Sequence, residues 1–275
     1  MNLSVIMATY NSPRWLEKVL WGYSVQDHRD FEIIIADDGS SDDTRALIDR
    51  MREETGLGLH HVWQEDKGFR KCRILNKAIL RAGSPYLVFT DGDCIPRRDF
   101  LAVHATEAEP GRYLSGSYNK LPASTSEAIT REDILSQRCF DVRWLKAHGL
   151  KRGRKNSKLR ASHAAARILN RLTVTRCNFK GSNGSAWRDD VLRINGFDER
   201  MSWGGLDREF GVRLINAGVR PKHVRYNAIV IHLDHPRGYA DPVQTRQNRA
   251  LRKYNARHGI TRTDHGIVAP DAEAR

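Results

Sequence analysis

The first hundred residues alternate short apolar runs with amphipathic stretches, and that alternation leaves few folds open. Residues 3–8, 31–36 and 86–90 are mostly apolar runs, the pattern of buried strands. Between them, residues 13–23 carry Trp15, Leu16, Val19, Leu20 and Tyr23 at helical spacing. Leu47, Ile48 and Met51 mark a second helix, which Ser40 or Ser41 is placed to cap. A short strand over 59–63 and a helix over about 70–82 complete a βαβα series. Such a series predicts an α/β fold, a mainly parallel Rossmann-like sheet flanked by helices. With 275 residues, 40% of them hydrophobic, the chain can bury one sizeable core.

The second half is less regular. Residues 127–149 and 157–172 read as helices, 181–187 as a turn-rich segment, 206–217 as a helix ending at Gly218, and 229–233 as a strand. After Asp241 the chain turns polar and reads as a tail draped over the surface. No run approaches the roughly 20 apolar residues that cross a bilayer, and the apolar opening is too short for a signal peptide. Cys72, Cys94, Cys139 and Cys177 show no paired spacing, which fits reduced thiols in the cytoplasm. The formal charge of +13 has one address. Thirteen of the 46 Lys and Arg fall within residues 142–188, which hold no acid, while Asp and Glu number 33 in the whole chain, so the remainder is balanced. The stretch reads either as solvated helix faces or as the contact for an anionic partner.

In a parallel sheet the ligand sits beyond the carboxyl ends of the strands. Three polar segments follow strands here: Thr9-Tyr10-Asn11, Asp37-Asp38-Gly39-Ser40 and Asp91-Gly92-Asp93. The last is read as a site for Mg²⁺ or Mn²⁺ bridging a diphosphate, since hard carboxylate oxygens suit such ions, or as an ordinary acidic turn. The apolar strand before it, and the two polar strand ends sharing its crevice, favour the first. Asp38 either belongs to a strand end and cap or accepts the N–H of a pyrimidine base. Arg70 and Arg73 stand at a helix start suited to an anion, or on a solvated face with Lys77 and Arg81. His232 and His235 close an apolar strand and are suited to a metal shell or to a structural role. Trp203, beside Gly204 and Gly205, suits a sugar ring or a core position.

The segments "VIMATYN", "IIIADDGSSDDT", "GFRKCRILNKAI", "FTDGDCIP", "FKGSNGSAWRDD", "NGFDERMSWGGLDREFGVRLINAGVR" and "IHLDHPRGY" together resemble a bacterial family 2 glycosyltransferase of the GT-A fold, with a C-terminal part similar to the galactosyltransferase family 7 C-terminal region. The resemblance spans most of residues 1–240. It implies one GT-A domain: residues 1–110 as the half that binds a nucleotide sugar, 111–240 as the acceptor and catalytic half, and 241–275 as the tail. It also implies inversion at the anomeric carbon, a UDP-sugar as the favoured donor and Mn²⁺ or Mg²⁺ as cofactor. Residue by residue, it gives Thr9, Tyr10 and Asp38 to the nucleoside, Asp91 to the ribose, and Asp93 with His232 or His235 to the metal. Arg73 and Asn76 are unaligned counterparts of an Arg-Asn pair, and Arg70 and Arg73 are placed with the donor. Asp207 keeps the position of the catalytic base, whereas Leu206 replaces the family's usual Glu. Trp203, Gly204, Gly205 and Glu209 are left for the acceptor, Glu209 serving otherwise as a first-turn helix acid.

The expected acceptor is a hydroxyl of a cell-surface glycan or glycolipid such as lipopolysaccharide, capsule or exopolysaccharide. Residues 142–188 would meet an anionic membrane face or a phosphorylated glycan. A sugar-nucleotide pyrophosphorylase is the alternative of the same fold class, although "ATYNSPRW" lacks the glycines of its loop. A nucleic-acid binder would explain the basic stretch but not the acidic crevice, so no specific nucleic acid is expected.

Overall fold

The alternating pattern of the first hundred residues becomes a parallel block of four strands in a computed structural model that describes residues 1–151, 153–235 and 241–268. Strands β1 (Leu3–Thr9), β2 (Phe31–Asp37), β3 (Leu59–Trp63) and β4 (Tyr86–Asp91) lie in the order β3-β2-β1-β4. The chain then adds six short strands: β5 (Cys94–Pro96), β6 (Arg112–Ser115), β7 (Ser117–Lys120), β8 (Gly184–Trp187), β9 (Arg220–His223) and β10 (Ile229–His232). The main sheet continues from β4 through β8 and β6 to β9, with β8 antiparallel to both neighbours. A second sheet, in the order β5-β10-β7, pairs His232 directly with Cys94. The α/β class is the one expected; the second sheet and the antiparallel insertion of β8 were not.

Burial explains the apolar runs. Val5, Met7, Ile33, Ile35 and Val88 face a core shared with helix Pro13–Ser24, helix Asp42–Thr55 and the small sheet. Their neighbours Ile6, Ile34, Ala36, Leu87 and Phe89 face a second core with helix Lys71–Arg81 and helix Leu206–Asn216. Side chains alternate across a strand, so a sheet covered on both faces needs apolar residues at every position. In the second core Phe197 and Phe210 stack at 4.2 Å between centroids, and Phe89 meets Phe179 edge-on at 5.5 Å. Each such ring contributes about 1.5–3 kcal/mol by burial, and together they form the floor beneath the start of helix Leu206–Asn216.

Several local expectations are corrected. Residues 127–149 do not form one helix but a series of short ones, among them Arg131–Leu135 and Val142–Ala147, with Gln137 at a positive φ of 63° between them. Ser41 takes the N-cap position of helix Asp42–Thr55, as expected for one of the two serines, but makes no side-chain cap hydrogen bond, while Ser40 Oγ accepts the Asn11 N–H at 2.8 Å. Asn11 Oδ1 accepts the Ser41 N–H in return at 2.9 Å. These two bonds tie the loops after β1 and β2 together, while Asp42 and Asp43 serve the helix start through its dipole. The polar tail is also more ordered than expected. It contains the helix Pro242–Arg257, packed against helix Leu206–Asn216. Arg152, residues 236–240 and residues 269–275 lie outside the described residues, as do the side chains of Arg154 and Lys155.

Candidate active site

The ends of β1, β2 and β4 open on a cavity of about 980 Å³, within the usual range for small-molecule sites. It brings together Thr9, Tyr10, Asp38, Asp91, Asp93, Trp203, Gly204, Gly205, Asp207, His232 and His235. Arg70, Arg73 and Glu209 are not among its lining residues, and Lys71, Lys180, Arg208, Arg249 and Arg252, which the sequence reading passed over, are.

The two carboxylates of the Asp91-Gly92-Asp93 turn are held by different partners. Lys71 Nζ donates to Asp91 Oδ1 at 2.5 Å. Burial opposes the Lys71 ammonium, yet Asp91, Asp207 and Asp93 outweigh it and hold its pKa above that of a free lysine. Asp93 turns to the small sheet, where His235 Nε2 lies 3.0 Å and His232 Nε2 3.6 Å from its Oδ2. Burial would raise the Asp93 pKa, but the His235 hydrogen bond and the charges of both histidines bring it below the usual carboxylate range.

Strand pairing accounts for this meeting. Leu233 N donates to Asp93 O at 2.9 Å, continuing the β5–β10 ladder past Cys94 and His232. His232 Nδ1 lies 2.7 Å from the Leu233 carbonyl oxygen, which can only accept, so Nδ1 donates and Nε2 is the nitrogen turned to Asp93. Ligand atoms of Asp93, Cys94 and His232 fall within 4.8 Å of one another. A carboxylate oxygen and an imidazole nitrogen at that spacing fit a divalent cation. Cys94 was not expected there; its thiol is fully buried and donates to Asp93 Oδ1 at 3.3 Å.

On the nucleoside side, both Asp38 oxygens are engaged, Oδ1 by Gln64 Nε2 at 2.6 Å and Oδ2 by the Arg70 backbone N–H at 2.8 Å. Burial nevertheless raises the Asp38 pKa against both bonds. Arg70 thus contributes its backbone, and its guanidinium turns back to the Glu65 carbonyl. Arg73 is exposed. Asn76 is structural: its amide bonds Phe197 and Glu199 and fixes the loop after residue 194. Tyr10 donates its hydroxyl to Asp66 at 2.8 Å, and Thr9 Oγ1 is buried at the cavity wall with no partner among the described residues.

Across the cavity, Asp207 stands in the first turn of helix Leu206–Asn216, and Leu206 is packed into the second core. Gly181 leaves the room for this carboxylate, since a Cβ there would lie 2.7 Å from Asp207 Oδ1. Burial raises the Asp207 pKa and Asp91 adds to the rise, while Lys71 and the Gly181 backbone pull it down. Glu209, expected at the acceptor, is 1% exposed and forks onto Arg213 at 2.6 and 2.9 Å, with Asn255 Nδ2 on its Oε1 at 2.8 Å. One residue of helix separation is about 100°, so Asp207 and Glu209 face different surroundings. Gly204 and Gly205 adopt φ of 102° and 92°, and a Cβ on Gly204 would lie 2.9 Å from Thr245 Oγ1.

A family model described as glycosyl transferase family 2 matches residues 4–170, and one described as the N-terminal domain of galactosyltransferase matches residues 170–236. Validoxylamine A glucosyltransferase of Streptomyces hygroscopicus subsp. jinggangensis (strain 5008) is 30% identical over 231 residues, which is 79% of this chain and 52% of that protein. Chondroitin synthase of Escherichia coli is 26% identical over 252 residues, 85% of this chain and 35% of that protein. The chain therefore spans about half the length of the first relative and about a third of the second. Mannosyltransferase PcManGT from Pyrobaculum calidifontis, solved in complex with GDP-Man and Mn2+, superposes with a TM-score of 0.63 at 22% identity, covering 94% of this chain and 64% of that one. S. aureus TarS 1-349 in complex with UDP-GlcNAc gives 0.63 at 16% identity, covering 94% and 69%. These likenesses carry the GT-A fold. Because the first family model alone matches more than half of the sequence, and the second takes over where it stops, the chain belongs to glycosyl transferase family 2.

Proposed function

We propose that this chain transfers a sugar from a nucleoside-diphosphate donor, UDP-sugar being favoured, to a hydroxyl of a glycan or glycolipid, with inversion at the anomeric carbon. The observation that carries the reading is a single cavity with a candidate metal site at Asp93 and His232 and a candidate base, Asp207, both on its lining. Thr9, Tyr10 and Asp38 would hold the nucleoside and Asp91 the ribose. Asp93 and His232, with His235 beside them, would hold Mn²⁺ or Mg²⁺. Such an ion, when bound, neutralises charge on a departing diphosphate.

The steps left to the chain's own residues balance simply. The acceptor oxygen forms a bond to the anomeric carbon as the bond from that carbon to the diphosphate oxygen breaks. The hydroxyl proton passes to Asp207, and the electron pair leaves with the nucleoside diphosphate. Attack opposite the leaving group inverts the configuration. Lys71 adds fixed positive charge beside Asp91, and Trp203 offers an aromatic face to the acceptor. Incubation with a panel of nucleotide sugars and Mn²⁺ tests the reading. Slow donor hydrolysis, stopped by EDTA, is expected; no turnover of any donor, or full turnover in excess EDTA, would sink the transferase or the metal respectively.

A membrane contact belongs to the same reading. No described helix is long and apolar enough to cross a bilayer. Helix His163–Leu172 buries Ala166, and Asn170 Nδ2 bonds Asn227, so positions 166 and 170 turn to the body. Ile168 and Leu172 fall on the far side and are 58% and 71% exposed, Leu169 sits at the edge of the body-facing side at 39%, and Arg167, against Glu107, and Arg171 lie between the two faces. An apolar stripe flanked by cations, within a stretch free of acids, suits an anionic leaflet better than a phosphorylated glycan, which offers nothing to Leu172.

A further inference from the structure

Around Asp207 the cavity wall carries an excess of cations. Lys180, Arg208, Arg249 and Arg252 all line it, and none of the four takes part in an ion pair or a side-chain hydrogen bond among the described residues. Elsewhere the chain pairs its arginines freely, as Arg213 with Glu209 and Arg200 with Asp198. Arg249 and Arg252 share one face of helix Pro242–Arg257 with Thr245 and Asn248, at the i, i+3, i+4, i+7 spacing of a helical stripe.

That stripe is held in register. Asn248 Nδ2 donates to the carbonyls of Ser202, Trp203 and Gly204 at 3.0, 3.2 and 3.1 Å, and Asn255 reaches Glu209 one helix over. Arg208 follows Asp207 directly. Burial and the neighbouring Arg208, Arg176 and Arg249 press the Arg252 pKa down, so the group repels itself. A cleft rimmed by one sign of charge concentrates the opposite one. The donor's diphosphate has its own counter-charges at Lys71 and the candidate metal site, whereas these arginines flank the candidate base.

We propose that Arg208, Arg249 and Arg252 form an acceptor subsite for an anionic group, a phosphate or a carboxylate, on the saccharide whose hydroxyl faces Asp207. The inference rests on the transferase reading and names the class of its acceptor. The test is calorimetric binding of glucose 6-phosphate, glucuronate and glucose to the full chain in saturating UDP and Mn²⁺. At least one anionic sugar should bind about tenfold or more tightly than glucose, since hydrogen bonds to charged groups reach that size. Whichever of the two anionic sugars is preferred identifies the group. Arg249→Gln/Arg252→Gln should erase the preference while UDP–Mn²⁺ affinity shifts less than twofold, and Arg208→Gln should weaken it independently. Equal binding of all three sugars, or a UDP affinity that collapses with the arginines, would overturn the subsite while leaving the transferase reading standing. Failure of the unmodified protein to bind any nucleoside diphosphate would instead remove the transferase reading and the subsite with it.

Discussion

The two walls of the cavity settle their charges in opposite ways. On the strand-end wall each acid meets a donor from its own chain: Asp91 meets Lys71, Asp93 meets His235 and His232, and Asp38 meets Gln64 and the Arg70 N–H. On the helical wall Asp207 stands among four cations, Lys180, Arg208, Arg249 and Arg252, and although its charge acts on Lys180 none of the four makes an ion pair among the described residues. The first wall is arranged for a small cation that its acids and imidazoles would share. The second is arranged for an anion that arrives with a ligand.

The strand wall should break hardest at Asp93. Asp93→Ala removes the hard oxygen from the candidate metal site, and sugar transfer is expected to vanish together with Mn²⁺ binding in a calorimetric titration. Retained Mn²⁺ affinity would relocate the metal. The helical wall breaks next, at its one cavity-facing acid. Asp207→Asn keeps the shape and loses the charge, so transfer should fall roughly 10²-fold or more while UDP–Mn²⁺ still binds. Near-normal transfer would move the base off this residue.

Glu209 sharpens the contrast because it shares the helix but not the cavity. Glu209→Gln leaves Arg213 as a buried, unneutralised charge, a loss of about 3 kcal/mol and roughly 6–12 °C in thermal midpoint. Transfer per folded molecule should stay close to that of the unmodified protein. An unchanged melting curve with lost transfer would return Glu209 to the acceptor.

A smaller effect couples the two walls through Lys71. As the proposed base Asp207 must be ionised to accept a proton, and burial raises its folded pKa above that of a free carboxylate, so transfer should be lost as pH falls through that raised value. Lys71 is one of the groups that lower it. Lys71→Met should therefore move the acid limb of the pH–rate profile to higher pH; a limb that stays put or moves down would uncouple the walls. The smallest expected effect lies outside the cavity. Leu172→Glu should reduce sedimentation with anionic vesicles at low salt without altering the thermal midpoint, and binding that ignores lipid charge would end the membrane reading.

These contrasts were unevenly legible in the sequence. β1 to β4 stood out because strands buried on both faces write continuous apolar runs, and their polar ends pointed to the crevice. β7 reads SYNK and β9 reads RPKH, too short and too polar to carry a period. The helix Pro242–Arg257 was missed for a related reason: its buried residues are Asn248 and Asn255, so hydrogen bonding rather than hydrophobicity marks its inner face. Arg70 and Arg73 stand out over Lys71 in the sequence, but position along a helix rotates by about 100° per residue, and only the folded chain separates the neighbour that faces inward. The family pattern pointed to Asp207, and nothing in the order of letters separated it from Glu209, whose partners Arg213 and Asn255 emerge only when two helices pack.

The Asn248 contact has a consequence in time. The residues of the parallel block have all been made by Asp93, but the partners of Asp93 itself are His232 and His235, the loop carrying Trp203 takes its backbone partner from Asn248, and the helix of Asp207 is tied down by Asn255. At about 5–20 residues per second of synthesis, the nascent chain carries the parallel block for on the order of ten to thirty seconds before the histidines reach Asp93 and the opposite wall can close.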